Sequence, residues 1–268
     1  MERLDGPNGL QMERGGTPDG PPVVFVHGVM DRGAAFLRTT RLLPETDWWL
    51  YDRRGYGRSI DAGPADFVGH IGDLVAVLEV VGESSGRRPV VVGHSLGGAL
   101  VLIAAHRRPD LVAAVATFEA PLSWQPWWRV RQPLLDPVDP DPELEAERFL
   151  RLMLGDERWE ALPAAARQKR LREAPAYVAE VTTVRDFEGF VAAEIEVPVV
   201  LAHGTSEHAA QPSRVADELL VDLPRGHRVV VDGAPHAGHL THPAAIADLV
   251  RTALAEAAAT EPDGRLAS

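Results

Sequence analysis

The sequence predicts an α/β protein with a mostly parallel central sheet, helices on both faces and an inserted helical cap. Two patterns carry that reading. Apolar runs of strand length alternate with stretches of helical periodicity, as in consecutive β-α-β units. The alternation breaks between about Pro121 and Ile195, where proline and tryptophan cluster and acidic, proline-spaced residues follow. The expected organisation is a core from residues 1–120 and 196–258, a cap insertion over 121–195 and a disordered tail over 259–268.

Taken in order, the expected strands are Val23 to His27, Trp48 to Tyr51, Val90 to Val92, Val112 to Phe118, Val199 to Ala202 and Arg228 to Val231. Each is a short branched or aromatic run ending near a turn-forming residue. Between the second and third, Phe67, Ile71, Leu74, Val75, Leu78 and Val81 recur at helical spacing and define one buried face. A small-residue helix begins at about Gly98. The last helix runs from about Pro243 to Ala258, with Ile246, Leu249, Val250 and Leu254 as its apolar stripe.

Composition narrows the setting. A chain of 268 residues, 45% of them hydrophobic, is long enough for one sizeable core plus an insertion. It has no cysteine, which excludes disulfides and thiolate metal sites. A formal net charge of -12 opposes binding to nucleic acid and to anionic membrane surfaces, so a small molecule is the expected partner. The N-terminus has neither the basic start nor the apolar core of a signal peptide, and no apolar stretch is long enough to span a bilayer, so a cytoplasmic location is expected.

Chemistry concentrates around Gly93-His94-Ser95-Leu96-Gly97. This pentapeptide joins an apolar strand to a small-residue helix, and a serine on so tight a turn is lifted above the sheet edge. Glycines two residues to either side remove Cβ atoms that would strike the neighbouring strand or helix. The earlier strand ends in His27-Gly28, where the backbone turns and can offer the Val29 N–H; with the Leu96 N–H at the helix start it would form an oxyanion hole. Downstream, Asp232-Gly233-Ala234-Pro235-His236 places His236 on a loop before the final helix, as a general base for Ser95.

Together with Val26-His27-Gly28, Asp52-Arg53-Arg54-Gly55-Tyr56-Gly57-Arg58-Ser59, Pro198-Val199-Val200-Leu201-Ala202-His203-Gly204 and Gly233-Ala234-Pro235-His236, the elbow makes the chain resemble the α/β-hydrolase superfamily over nearly its whole length. The resemblance implies the α/β-hydrolase fold, a mobile cap over the site and serine-hydrolase chemistry with no cofactor. Two carboxylates compete to orient His236. Glu207, three residues after Gly204, occupies the position commonest in the superfamily; Glu119, at the end of the Val115 strand, resembles the haloalkane-dehalogenase branch. A charge at the buried end of a strand needs a partner more than one in a loop, which favours Glu119. That branch places aspartate where this chain has Ser95, and a halide-binding tryptophan where it has Leu96. An acyl substrate is therefore expected: an ester, thioester, lactone or activated amide. Lyase, acyltransferase or perhydrolase use of the same triad, and a binding protein without turnover, stay open.

Other features have simpler readings. Trp124, Trp127 and Trp128 could line an apolar substrate pocket or serve as core. His94, the variable elbow position, is expected to orient loops and to touch substrate. His236, His239 and His242 recur every third residue, but their loop setting argues against a metal site. The Asp52 to Ser59 segment reads as a rigid turn, with phosphate binding by Arg53, Arg54 and Arg58 as its rival.

Overall fold

A computed structural model describes residues 1–128, 141–206 and 210–260. The chain opens with β1 (Glu2–Asp5), β2 (Gln11–Gly16) and β3 (Pro22–Val26), then a short helix α1 (Leu37–Thr40). β4 (Asp47–Asp52), α2 (Phe67–Ser85), β5 (Val90–His94), α3 (Leu96–Arg107) and β6 (Ala114–Phe118) follow. After β6 come α4 (Pro142–Leu154), α5 (Asp156–Ala161), α6 (Ala164–Leu171) and α7 (Ala174–Thr183). The chain then returns to the sheet through β7 (Val199–Gly204), α8 (Ala210–Leu220), β8 (Gly226–Val231), α9 (Gly238–Thr241) and α10 (Pro243–Thr260).

The eight strands form one sheet in the order β1-β2-β4-β3-β5-β6-β7-β8, with β2 running against its neighbours and the strands from β4 to β8 parallel. All six expected strands are present. β1 and β2 were not expected, because Glu2-Arg3-Leu4-Asp5 and Gln11-Met12-Glu13-Arg14 carry too few apolar residues to read as strand. Backbone pairing at an exposed sheet edge needs only one sheltered face, and Met12 supplies it. The final helix runs to Thr260, so Ala259 and Thr260 are helical rather than part of a disordered tail; 261–268 lie outside the described residues.

Period-two alternation splits each central strand between two cores. Val24, Val26, Val91 and Val115 pack against α2, α3 and α8, whereas Val23, Phe25, Val90, Val92 and Ala116 pack against α10. Helix α2 begins where the Asp66 carboxylate accepts the Gly69 N–H at 2.7 Å, and it stops at Gly86, whose φ of 66° needs no Cβ penalty. Its expected stripe is the buried face, with Val75 only partly covered. A third cluster joins α4, α5 and α7 to Met30 and Tyr56, so the helices inserted between β6 and β7 have a small core of their own seated on two loops of the main domain.

Register brings the functional ends together. Val26 pairs with Gly93, Gly93 with Thr117 and Phe118 with Ala202. The chain therefore leaves β3, β5, β6 and β7 at one edge of the sheet, with His27, Ser95, Glu119 and Gly204 at or just past the strand ends. Ligands of open α/β sheets bind along this carboxyl edge.

Candidate active site

Ser95 has φ 51° and ψ -129°, a conformation rarely adopted by a residue with a side chain. Surrounding glycines allow it. A Cβ on Gly93 would lie 2.4 Å from the Gly97 carbonyl oxygen, and one on Gly97 would lie 2.2 Å from that of Val26. The Ser95 N–H is tied to the Phe118 carbonyl at 3.0 Å, which holds the elbow against β6.

From there a hydrogen-bonded chain runs inward. Ser95 Oγ lies 3.1 Å from His236 Nε2, and His236 Nδ1 lies 2.7 Å from Glu119 Oε2. The proton on Nδ1 is donated to the carboxylate, which leaves Nε2 bare to accept from the serine hydroxyl. Glu119 Oε1 accepts the Gly204 N–H at 3.0 Å, so both oxygens of this buried carboxylate are satisfied. Glu119 itself has a φ of 53°, and its N–H bonds the Ala202 carbonyl at 2.9 Å. Glu207, the other expected acid, lies outside the described residues.

The turn after β3 is held from below by Arg53. Its Nε donates to the His27 carbonyl at 3.0 Å and its Nη2 to the Gly28 carbonyl at 2.8 Å. In a trans peptide the following N–H points opposite to the carbonyl, so the Val29 N–H is directed away from Arg53. Leu96 begins α3, and the first N–H groups of a helix have no intrahelical partner. Arg53 is fully buried and pairs with Glu180 of α7 at 2.5 Å; burial alone would lower its pKa, but Glu180 raises it. Tyr56 also hydrogen-bonds Glu180. The Asp52 to Ser59 segment is thus a satisfied turn whose arginines are committed: Arg54 to Asp73 at 2.6 Å and Arg58 to Glu13 at 2.9 Å.

Three further histidines pack around this machinery, His27, His94 and His239. His27 Nε2 accepts the Arg53 N–H at 2.8 Å, so its Nδ1 donates to the Gly28 carbonyl; burial, with Arg53 beside it, pushes its pKa down to about 4. His94 donates from Nε2 to the His236 carbonyl at 2.8 Å, which orients the His236 loop. Burial first, then His239 and His236, hold its pKa well below the ordinary histidine value. His239 stacks on His94 with centroids 3.7 Å apart and meets Asp31 at 2.9 Å. Burial would raise the Asp31 pKa, but the hydrogen bond and charge of His239 bring it below the usual carboxylate range. Asp31, His94 and His239 are the group of potential metal ligands found among the described residues, with one ligand atom of each within 4.8 Å of the others.

A cavity of about 120 Å³ opens over Ser95 and His236. Val29 and His94 line it. Its apolar wall is one sequence reading missed: Phe149, Leu150, Met153 and Leu154 of α4. The signal was the apolar spacing of that helix, whose Met153 and Leu154 remain partly exposed. Trp124, Trp127 and Trp128 do not line this cavity. Trp124 packs against Phe67, Phe187 and Phe190, Trp127 lies under Arg214, and all three rest on the core below α2 and α3. An aromatic cluster bound to proline turns satisfied its need for burial within the fold.

The comparisons agree with this architecture. The family model described as "Alpha/beta hydrolase family" matches residues 23–249. The chain is 26% identical over 242 residues to a pimeloyl-[acyl-carrier protein] methyl ester esterase of Yersinia enterocolitica, covering 85% of this chain and 91% of that one. It is 38% identical over 111 residues to Lipase LipV of Mycobacterium tuberculosis, a match that spans 41% of either chain. A thermophilic esterase from Thermogutta terrifontis superposes with a TM-score of 0.68 over 96% of this chain and 99% of that one, at 18% identity. No helix among the described residues is long and apolar enough to cross a membrane. With its model matched across strands, elbow and histidine loop, the chain belongs to the alpha/beta hydrolase family.

Proposed function

We propose that this chain is a serine hydrolase that cleaves a small-molecule ester, thioester, lactone or related acyl bond through an acyl-enzyme. The observation that carries the proposal is the hydrogen-bonded series from Ser95 through His236 to Glu119, at 3.1 and 2.7 Å, above which a cavity opens. Similarity to proteins named as esterases and a lipase supports the same chemistry.

In this reading Ser95 Oγ attacks the acyl carbon while its proton passes to His236 Nε2. The carbonyl π pair moves to oxygen, and the resulting oxyanion is received by the Val29 and Leu96 N–H groups. Collapse breaks the bond to the leaving alcohol or thiol, which takes the proton from His236. Water then attacks the acyl-enzyme, giving its proton to the same nitrogen, and Ser95 is released with the carboxylic acid. Glu119 keeps His236 in the required tautomer and stabilises the imidazolium at each transfer. The helices α4 to α7 act as the cap.

The test pairs a fluorophosphonate probe with p-nitrophenyl esters of graded chain length. Stoichiometric adduct at Ser95, ester turnover, and loss of both in Ser95→Ala are expected. Labelling of a different serine overturns the assignment. Labelling of Ser95 without hydrolysis of any ester moves the chain to transfer or lyase chemistry.

A further inference from the structure

Arg170 presents a cation to the cavity above Ser95. It lines the same space as Ser95 and His236, half-buried at the end of α6. One guanidinium nitrogen, Nη1, donates to the Met30 carbonyl at 2.8 Å, which anchors the group to the loop that carries Val29. Among the described residues no carboxylate lies within ion-pair distance of it. The two acidic groups whose fields reach it are engaged elsewhere: Asp31 with His239 at 2.9 Å, and Glu173 with Arg32 and with the Gly57 N–H at 2.9 Å. Burial and the like charge of Arg32 both act against its charged form.

A partly desolvated cation beside a second cation is unfavourable unless an anion completes the site. Asp31, His94 and His239 line the cavity beside Ser95 and His236, and the opposite part of its wall is apolar, from Phe149, Leu150, Met153 and Leu240. A ligand that fits both must be an apolar chain ending in an anion. A planar guanidinium with one edge pinned is shaped for a carboxylate, which it can meet through two parallel N–H groups. The net charge of -12 repels anions at long range, so such recognition has to be local.

We propose that the ester hydrolysed at Ser95 carries a free carboxylate, and that Arg170 is the residue that selects it. The inference rests on the esterase reading of the same site. Two ester halves can bear the carboxylate, the acyl chain or the leaving alcohol, and two substrate pairs separate them. Mono-p-nitrophenyl glutarate is compared with p-nitrophenyl pentanoate, and 4-carboxyphenyl acetate with 4-methylphenyl acetate, for wild type, Arg170→Gln and Arg170→Lys.

In one of the two pairs, Arg170→Gln is expected to lower the charged-to-neutral ratio of kcat/KM by about tenfold to a hundredfold, as loss of a charge-assisted hydrogen bond does. The loss should fall on KM rather than kcat, because a group remote from the reacting carbon is held equally in ground and transition states. Arg170→Lys should keep part of the preference, having the charge without the fork. Unchanged ratios in both pairs, with neutral esters turned over and Ser95 labelled, overturn the carboxylate inference and leave the esterase reading intact. A fall in kcat alone, equal for charged and neutral esters, would assign Arg170 to positioning the Met30 loop and would also overturn it. Absence of all turnover together with absence of Ser95 labelling overturns both.

Discussion

Glu119 and His236 meet at 2.7 Å although 117 positions separate them, and the second oxygen of the same carboxylate is occupied by the Gly204 N–H. The Glu119 carboxylate is therefore fixed at both oxygens by donors on two different elements. Glutamine cannot serve both. If its oxygen faces Gly204, its amide NH₂ donates to His236 Nδ1, the ring proton moves to Nε2, and Ser95 loses its acceptor. Glu119→Gln should lower kcat by about three orders of magnitude or more in an ester assay, with the fold retained by circular dichroism. Glu207→Gln should cost at most about tenfold. The reverse ranking would move the acid to Glu207.

Arg53 and Glu180 form a fully buried pair, and breaking one leaves an uncompensated charge. Glu180→Gln should destabilise the protein by about 3–5 kcal/mol in urea titration. An apolar double replacement, Arg53→Met with Glu180→Met, should recover much of that stability. Activity should stay low in the double variant, because the His27 and Gly28 carbonyls lose the Arg53 donors that hold the turn leading to Val29. Recovery of activity along with stability would detach Arg53 from the proposed role of the Val29 loop.

Stability should fall as the solution is acidified below neutrality. His27, His70 and His94 are buried with pKa values below the ordinary 6.5, His27 at about 4, chiefly through desolvation. Between the folded and unfolded values the unfolded chain binds more protons, so unfolding takes up protons and stability rises with pH. Their contribution is complete above about pH 6.5 and is lost as pH drops towards 4. Each fully titrating group adds a slope of about 1.4 kcal/mol per pH unit. Denaturant midpoints measured from pH 5 to 7.5 check this, and a flat profile would contradict neutral burial of these rings.

The apolar residues around the site divide by role. Met153→Ala enlarges the cavity above Ser95 and should shift preference towards longer acyl chains by about tenfold in relative kcat/KM, with little change in Tm. Trp124→Ala empties a packed aromatic cluster and should cost about 3–5 kcal/mol, leaving chain-length preference unaltered. A specificity change in Trp124→Ala would return the tryptophans to the pocket.

Local rules sufficed for much of this protein. Six strands, the α2 and α10 stripes and the Ser95 elbow follow from period, branching and glycine placement, because burial on a sheet or helix face imprints its spacing on neighbouring residues. Three things needed the tertiary structure. Strands β1 and β2 have no apolar period, since edge pairing is backbone chemistry that most side chains permit. Much of the apolar wall of the cavity comes from α4, a helix whose seat on Met30 and Tyr56 no local pattern specifies. And only strand register shows that Phe118 lies beside Ala202, which carries Glu119 to Gly204 and so to His236. A carboxylate at the end of a strand is visible in the sequence; the nitrogen it faces is set by which strand lies next to it.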